Sequence, residues 1–407
     1  MNQDKLATIL NESLSELDRK GLRKGAEKVI CGIKPAGEGL GPRYHLAGYG
    51  RREFLRMNSN SYLGLSLHPQ VIKAEEEAVR AYGTGPGAVR FISGTHAPHL
   101  RLEKQLAKFH GRQAAMIFSA AYAAVMGIIP QLISEETIVL SDALNHNSII
   151  NSFRLARPTR KLIYNHLDMT DLEQKLQGCA GRGQRLLVVT DGIFSMRGDA
   201  APLAKLTALC KKHQGLFGEE IITIVDDSHG VGAFGPTGRG VEEYEGVQAD
   251  ILVATLGKAL GVNGGYVVAA APVIAYLRET SPFYIYSNPI TAPEAAAAEA
   301  ALAVLDSYEG HEMLARMRGL TGRFRTGLRH LEYEVLGRDH PITPLLVRDT
   351  AKTAALVDYL FAHNILATGL NYPIVPKGDE EIRFQITASH TEQDIDYVLQ
   401  VLGEFAG

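Results

Sequence analysis

The sequence predicts an α/β fold: a mostly parallel, doubly wound sheet followed by a smaller C-terminal α/β domain. Three observations carry that prediction. Short apolar runs without polar alternation recur through the middle of the chain, as expected of strands buried on both faces. Segments with helical spacing separate them, the pattern of crossover connections. After an alanine-rich stretch the same alternation resumes with shorter elements.

Taken in order, residues 5–20 carry Leu6, Ile9, Leu10, Leu14 and Leu17 at helical spacing. Residues 69–82 form a second expected helix stopped by Gly83, and 98–110 a third stopped by Gly111. The apolar runs AAMIF (114–118), TIVLS (137–141), RLLVVTD (185–191), IITIVDD (221–227) and ILVAT (251–255) read as strands. TAPEAAAAEAALAVLDSY (291–308) reads as a long helix, followed by a helix to about residue 331. Strand ITPLLVRD (342–349), helix 351–363, strand EIRFQITA (381–388) and helix 391–405 complete the pattern. The expected organisation is an N-terminal helix and arm (1–59), a large cofactor-binding domain (60–290) and a small C-terminal domain (291–407).

The totals exclude several classes. The chain has 407 residues, with 45% hydrophobic and 21% charged, the balance of a soluble globular protein. A net charge of -3 and the lack of a basic patch argue against nucleic-acid binding. Cys31, Cys179 and Cys210 have neither metal-ligand nor disulfide spacing, so no metal is expected and a reducing cytoplasm fits. The polar N-terminus does not read as a signal peptide, and no apolar run is long enough for a bilayer.

Open α/β sheets bind ligands at the carboxyl ends of their strands, and the notable polar residues gather there. VDDSHGVG places Asp226, Asp227 and His229 after one strand. DGIFSMRGD offers Ser195, SDALNHNS offers His146, and ATLGK offers Thr255 and Lys258. Each residue alone has a bland reading: a solvated lysine, a capping aspartate, a satisfied core histidine. Together they match one chemistry. A desolvated lysine forms a Schiff base with an aldehyde, an aspartate keeps a pyridine nitrogen protonated, and an imidazole stacks on the ring. The helix start in FSAAYAAVMG would hold a phosphate. Pyridoxal 5'-phosphate meets every requirement. YGTGPGAVR superficially suggests a dinucleotide fingerprint, but a helix rather than a strand precedes it.

The residues also resemble the α-oxoamine synthases, pyridoxal-phosphate enzymes of the aspartate aminotransferase-like type I fold. Among them the glycine C-acetyltransferases (2-amino-3-ketobutyrate coenzyme A ligases) are most similar. The matching stretches are NSYLGL (60–65), VRFISGTHAPHLRLEKQLAKF (89–109), SDALNHNSII (141–150), VTDGIFSMRGD (189–199), VDDSHGVGAFGPTGRG (225–240), TLGKALG (255–261), YSN (286–288) and YPIVPKGDEEIRFQITASHT (372–391). VDDSHGVG followed by TLGKALG is the most specific pair.

That resemblance implies roles. Lys258 would carry the cofactor as a Schiff base and move the substrate's α-proton. Asp226 would pair with the ring nitrogen, His229 and Ser195 would meet the ring oxygen, and His146 would stack on the ring. Ala121, Tyr122 and Thr255 would hold the phosphate, with Ser287 and Asn288 reaching it from the second subunit of a homodimer with shared active sites. Asn60 and Arg383 would bind the amino acid, Arg383 forking its carboxylate. The implied reaction condenses a small amino acid, best glycine, with an acyl-coenzyme A, best acetyl-coenzyme A. The product is an α-amino-β-keto acid or its decarboxylated aminoketone. An 8-amino-7-oxononanoate synthase-like enzyme with another acyl donor or amino acid is the alternative within the class. An aminotransferase is the alternative outside it, and a non-enzymatic scaffold subunit is opposed by the presence of Lys258, Asp226 and His229. Val125, Ala88 and a loop after Lys258 one residue shorter than usual depart from the family pattern where acyl chain and amino acid would be chosen.

Overall fold

The computed structural model describes residues 3–20, 22–23, 26–337, 339–372 and 375–405. Pro373 and Ile374, inside the matched C-terminal stretch, lie outside the described residues.

The centre is a seven-stranded sheet built from β1 (Ala114–Phe118), β2 (Thr137–Asp142), β3 (Arg160–Tyr164), β4 (Arg185–Asp191), β5 (Ile221–Asp226), β6 (Ile251–Thr255) and β7 (Gly265–Ala269). Its order is β1-β7-β6-β5-β4-β2-β3. Strands β2 to β6 run parallel, and β7 is antiparallel to both β1 and β6. The strands are apolar on both faces because both are covered. Ile138, Leu140, Leu186, Val188, Leu252 and Ala254 enter one buried cluster, while Val139, Leu187, Val189, Ile251 and Val253 enter another. The alternation of pleated side chains assigns neighbours along a strand to opposite faces.

A second, four-stranded antiparallel sheet comprises β8 (Glu334–Val335), β9 (Ile342–Leu346), β10 (Thr368–Leu370) and β11 (Glu381–Gln385), in the order β8-β9-β11-β10. Helices Tyr308–His330, Thr350–Ala362 and Glu392–Gly403 close its core through Phe324, Leu328, Leu356, Leu360, Ile395 and Val398. Leu55–Arg56, from the N-terminal arm, pairs in parallel with Ile365–Leu366.

Several expected elements are shorter than the sequence suggests. The alanine-rich helix spans Ala292–Leu305 and stops at Asp306, where Ser307 caps the next helix by accepting from the Gly310 amide. The strands expected at 342–349 and 381–388 end at Leu346 and Gln385. Strands β3, β7, β8 and β10 are additions to the sequence reading. The first helix runs Gln3–Arg19, and its stripe of Leu6, Ile9 and Leu10 is exposed.

Candidate active site

The site lies at the carboxyl ends of β6, β5, β4 and β2, four adjacent strands. A cleft of about 290 Å³ there is lined by Ala121, Tyr122, His146, Ser195, Asp226, His229, Thr255 and Lys258, all marked by the sequence, and also by Ala120, Ser148, Asp191, Ile193 and Ser228.

Lys258 stands on the turn that leaves β6. Thr255 shapes that turn: its hydroxyl accepts from the Gly257 amide at 3.0 Å and donates to the Gly264 carbonyl at 3.1 Å. The glycines that follow answer to close packing. A side chain on Gly261, whose φ is +72°, would strike the Ser66 amide at 2.3 Å. One on Gly265 would lie 2.2 Å from the Ala121 nitrogen. Only a bare backbone brings the lysine turn and β7 this near to their neighbours. Burial of the amine pulls the Lys258 pKa down to about 8, against the opposing pull of Asp226 and Asp191.

Asp226 ends β5. Its Oδ1 accepts from the Ser228 amide at 3.1 Å and the Ser228 hydroxyl at 2.5 Å. Oδ2 has no protein donor among the described residues and opens to the cleft. Asp227, beside it in sequence, is structural: it is fully buried and accepts from the Val241 amide at 2.7 Å. Asp191 lies in register with Asp226 on the neighbouring strand and accepts from the His146 amide at 3.0 Å. Burial, then the charge of Asp226, push the Asp191 carboxyl well above the usual range.

The two histidines are neutral for the same reason, desolvation, which lowers both pKa values. His146 caps helix Asn147–Ala156. Its Nδ1 accepts from the Ser148 amide at 3.2 Å, so the proton sits on Nε2. His229 Nδ1 lies 2.7 Å from the hydroxyl of buried Tyr62. That phenol has no other acceptor among the described residues, so it donates to Nδ1 and leaves Nε2–H for the cleft. His340 Nε2 sits 2.8 Å from the His229 carbonyl and braces the same turn.

Helix Ala121–Ile128 begins against the cleft with Ala120 at its N-cap, where no side chain accepts the first amides. Those amides form a ready anion cradle.

Arg383 lies on β11, flanked by β9 and β10, so it is not an edge residue. It reaches across to the large sheet and donates from Nη1 to the Ser195 carbonyl at 2.9 Å. With its amide oxygen toward the guanidinium, Gln385 accepts from Nε and Nη2 at 2.9 Å each. The same amide is 3.2 Å from Asn60 Oδ1. No carboxylate forms an ion pair with Arg383 among the described residues. Ser287 and Asn288 are not brought to the cleft by their own chain, and Asn288 is exposed.

Sequence reasoning assigned no role to Asp191, Ser228 or Tyr62. Asp191 carried the same signal as Asp226, an acid closing an apolar strand. Tyr62 sits in NSYLGL without a strand end to mark it, and its partner is 167 positions away.

The class I and II aminotransferase family model matches residues 52–402. Human mitochondrial 2-amino-3-ketobutyrate coenzyme A ligase is 39% identical over 353 residues, 86% of this chain and 82% of that protein. The 8-amino-7-oxononanoate synthase of Geobacter sulfurreducens is 41% identical over 347 residues, 85% and 87% of the two chains. Serine palmitoyltransferase structures superpose with a TM-score of 0.87 at 27% identity over 98% of this chain. They include that of Sphingomonas wittichii (96% of its chain) and one solved with pyridoxal phosphate as internal aldimine (97%).

Proposed function

Because the chain belongs to the α-oxoamine synthases, pyridoxal-phosphate enzymes with the type I fold of the class I and II aminotransferases, we propose that it condenses glycine with acetyl-coenzyme A. The product is an α-amino-β-keto acid, released as such or after loss of carbon dioxide. The observation that carries the reading is the delivery of Lys258, Asp226, Ser195 and His146 by four adjacent strand ends to one cleft, with Arg383, which forms no ion pair among the described residues, bonded beside it.

The donor set fits the cofactor. A desolvated amine, a carboxylate with one free oxygen, two neutral imidazoles and an uncapped helix start are what its aldehyde, ring nitrogen, ring face and phosphate require. When bound, pyridoxal phosphate supplies the aldehyde that captures the amino group and the electron-poor ring that makes the α-C–H acidic.

The chain's own groups do the rest. Asp226 Oδ2 would hold a proton on the ring nitrogen, with the carboxylate fixed in place by Ser228. His229 would donate from Nε2 to the ring oxygen, in the tautomer that Tyr62 sets, with Ser195 beside it. His146 would cover the ring face. The amides of Ala121 and Tyr122 would hold the phosphate with Thr255. Arg383, with Asn60, orients the substrate carboxylate through fork-shaped donors. Lys258 Nζ, its pKa lowered by burial to about 8, takes the α-proton and returns one to the product. We assign Ser287 and Asn288 to the second subunit's cleft, which makes the working unit a homodimer. Residues 60–290 and 291–407 are the two functional domains in this reading, after an arm at 1–59. Three unpaired cysteines support a reducing, cytoplasmic setting. Among the described residues no helix is long and apolar enough to cross a membrane.

The test is release of free coenzyme A from acetyl-coenzyme A by cofactor-loaded protein. Release that needs both glycine and Lys258 establishes the reaction; no thiol with any small amino acid and acyl thioester defeats it. The 41% identity to an 8-amino-7-oxononanoate synthase favours a second reading, alanine with a pimeloyl thioester, which the same assay discriminates. Keto-acid release from an amino acid alone would instead make the protein an aminotransferase.

A further inference from the structure

Helix Tyr308–His330 carries Arg318, Arg325 and Arg329, spaced so that all three share one face. That face lines a cavity of about 570 Å³, with Phe234, Tyr244 and Asp339 opposite. It shares no lining residue with the active-site cleft.

The cavity has an imbalance of charge. Arg325 is 3% exposed, and its bonds go to neutral acceptors: Nε to the Thr343 hydroxyl at 3.2 Å, Nη2 to the carbonyls of His340 at 2.6 Å and Ile342 at 2.7 Å. Nη1 has no acceptor among the described residues. Arg318 donates to the carbonyls of Gly235 and Pro236. None of the three arginines forms an ion pair among the described residues. Among the described residues the one carboxylate lining the cavity, Asp339, accepts from the Tyr244 hydroxyl at 3.0 Å. Two other guanidinium groups of the interior do have carboxylate partners, Arg90 with Glu103 at 3.2 Å and Arg112 with Glu242 at 2.5 Å. Burying an arginine without a counter-charge is costly, and the missing charge has room to enter from solvent.

We propose that this cavity is a second binding site, for a phosphate-bearing anion, with Arg325 at its floor and Arg318 and Arg329 at its mouth. Planar guanidinium forks match phosphate oxygens, and three of them against one aspartate favour a dianion. The site lies behind the catalytic wall: Arg325 bonds the His340 carbonyl, and His340 bonds the His229 carbonyl.

Calorimetric titration of the cofactor-loaded protein tests this, with inorganic phosphate and adenosine 5'-monophosphate as separate probes. Saturable binding is expected without a change in cofactor absorbance. The exposed pair Arg318→Ala and Arg329→Ala together should weaken it about tenfold or more, whereas Asp339→Asn should tighten it. Saturation by inorganic phosphate alone identifies a free anion as the ligand; tighter binding of the nucleotide identifies a phosphate ester. No saturable heat from either probe, or an affinity unchanged in the double variant, overturns the proposal.

Discussion

Tyr62 Oη lies 2.7 Å from His229 Nδ1 in a buried contact that joins residues 167 positions apart in the sequence. Burial pushes the phenol's pKa up, so it remains a donor at every working pH. Tyr62→Phe should keep the fold and lose the tautomer lock. One hydrogen bond of this kind corresponds to about a tenfold fall in kcat. Steady-state kinetics with saturating glycine would show it; an unchanged kcat would remove Tyr62 from the machinery.

Lys258→Ala should reduce turnover by at least about 10²-fold, since it removes the proton-moving amine. Thermal stability should hold, because the turn is fixed by Thr255 and the glycines instead of by the lysine side chain. Coenzyme A release and a melting curve together check this. Residual full activity would refute the assignment.

Arg383→Lys removes the fork but keeps the charge. KM for the amino acid should rise about 10–100-fold, with KM for the acyl donor little changed. A rise confined to the acyl donor would place Arg383 in the other subsite.

His166 stands between Asp142, at 2.9 Å, and Asp199, at 3.5 Å, and so pins the loop that carries Ser195. Against its burial, the hydrogen bond to Asp142 and the charges of Asp142 and Asp199 raise its pKa to about 9. Because the folded pKa exceeds the unfolded value of about 6.5, this contribution to stability is complete below about pH 6.5 and is lost as pH rises through about 9. His166→Gln should lower the melting temperature at pH 7 and flatten its decline between pH 7 and 10. Equal slopes in the two proteins would exclude the ion triad as the cause.

Much of this arrangement is legible in the sequence. Each buried strand announces itself as an apolar run, and the residue that ends it is necessarily at the edge where ligands bind. That logic found Asp226, His146, Ser195 and Lys258, and would have found Asp191. It could not find Tyr62, whose importance is a packing contact, or the bond from Arg383 to Ser195, which spans two sheets. Strand β7 escaped because the glycines before it read as loop. The break at Asp306 was hidden by helix-forming residues on both sides, although Ser307 is an ordinary capping residue.

Ala120, at the start of helix Ala121–Ile128, sets stability against function. A serine or aspartate in its place would satisfy the first amides and firm the empty protein by about 0.5–2 kcal/mol. The same side chain would then compete with the anion those amides await. With alanine there, the first amides stay free for the phosphate in the proposed reading, so saturation with pyridoxal phosphate should raise the melting temperature more in this protein than in an Ala120→Asp variant. In that reading the cofactor would be a folding partner of the chain as well as its reagent.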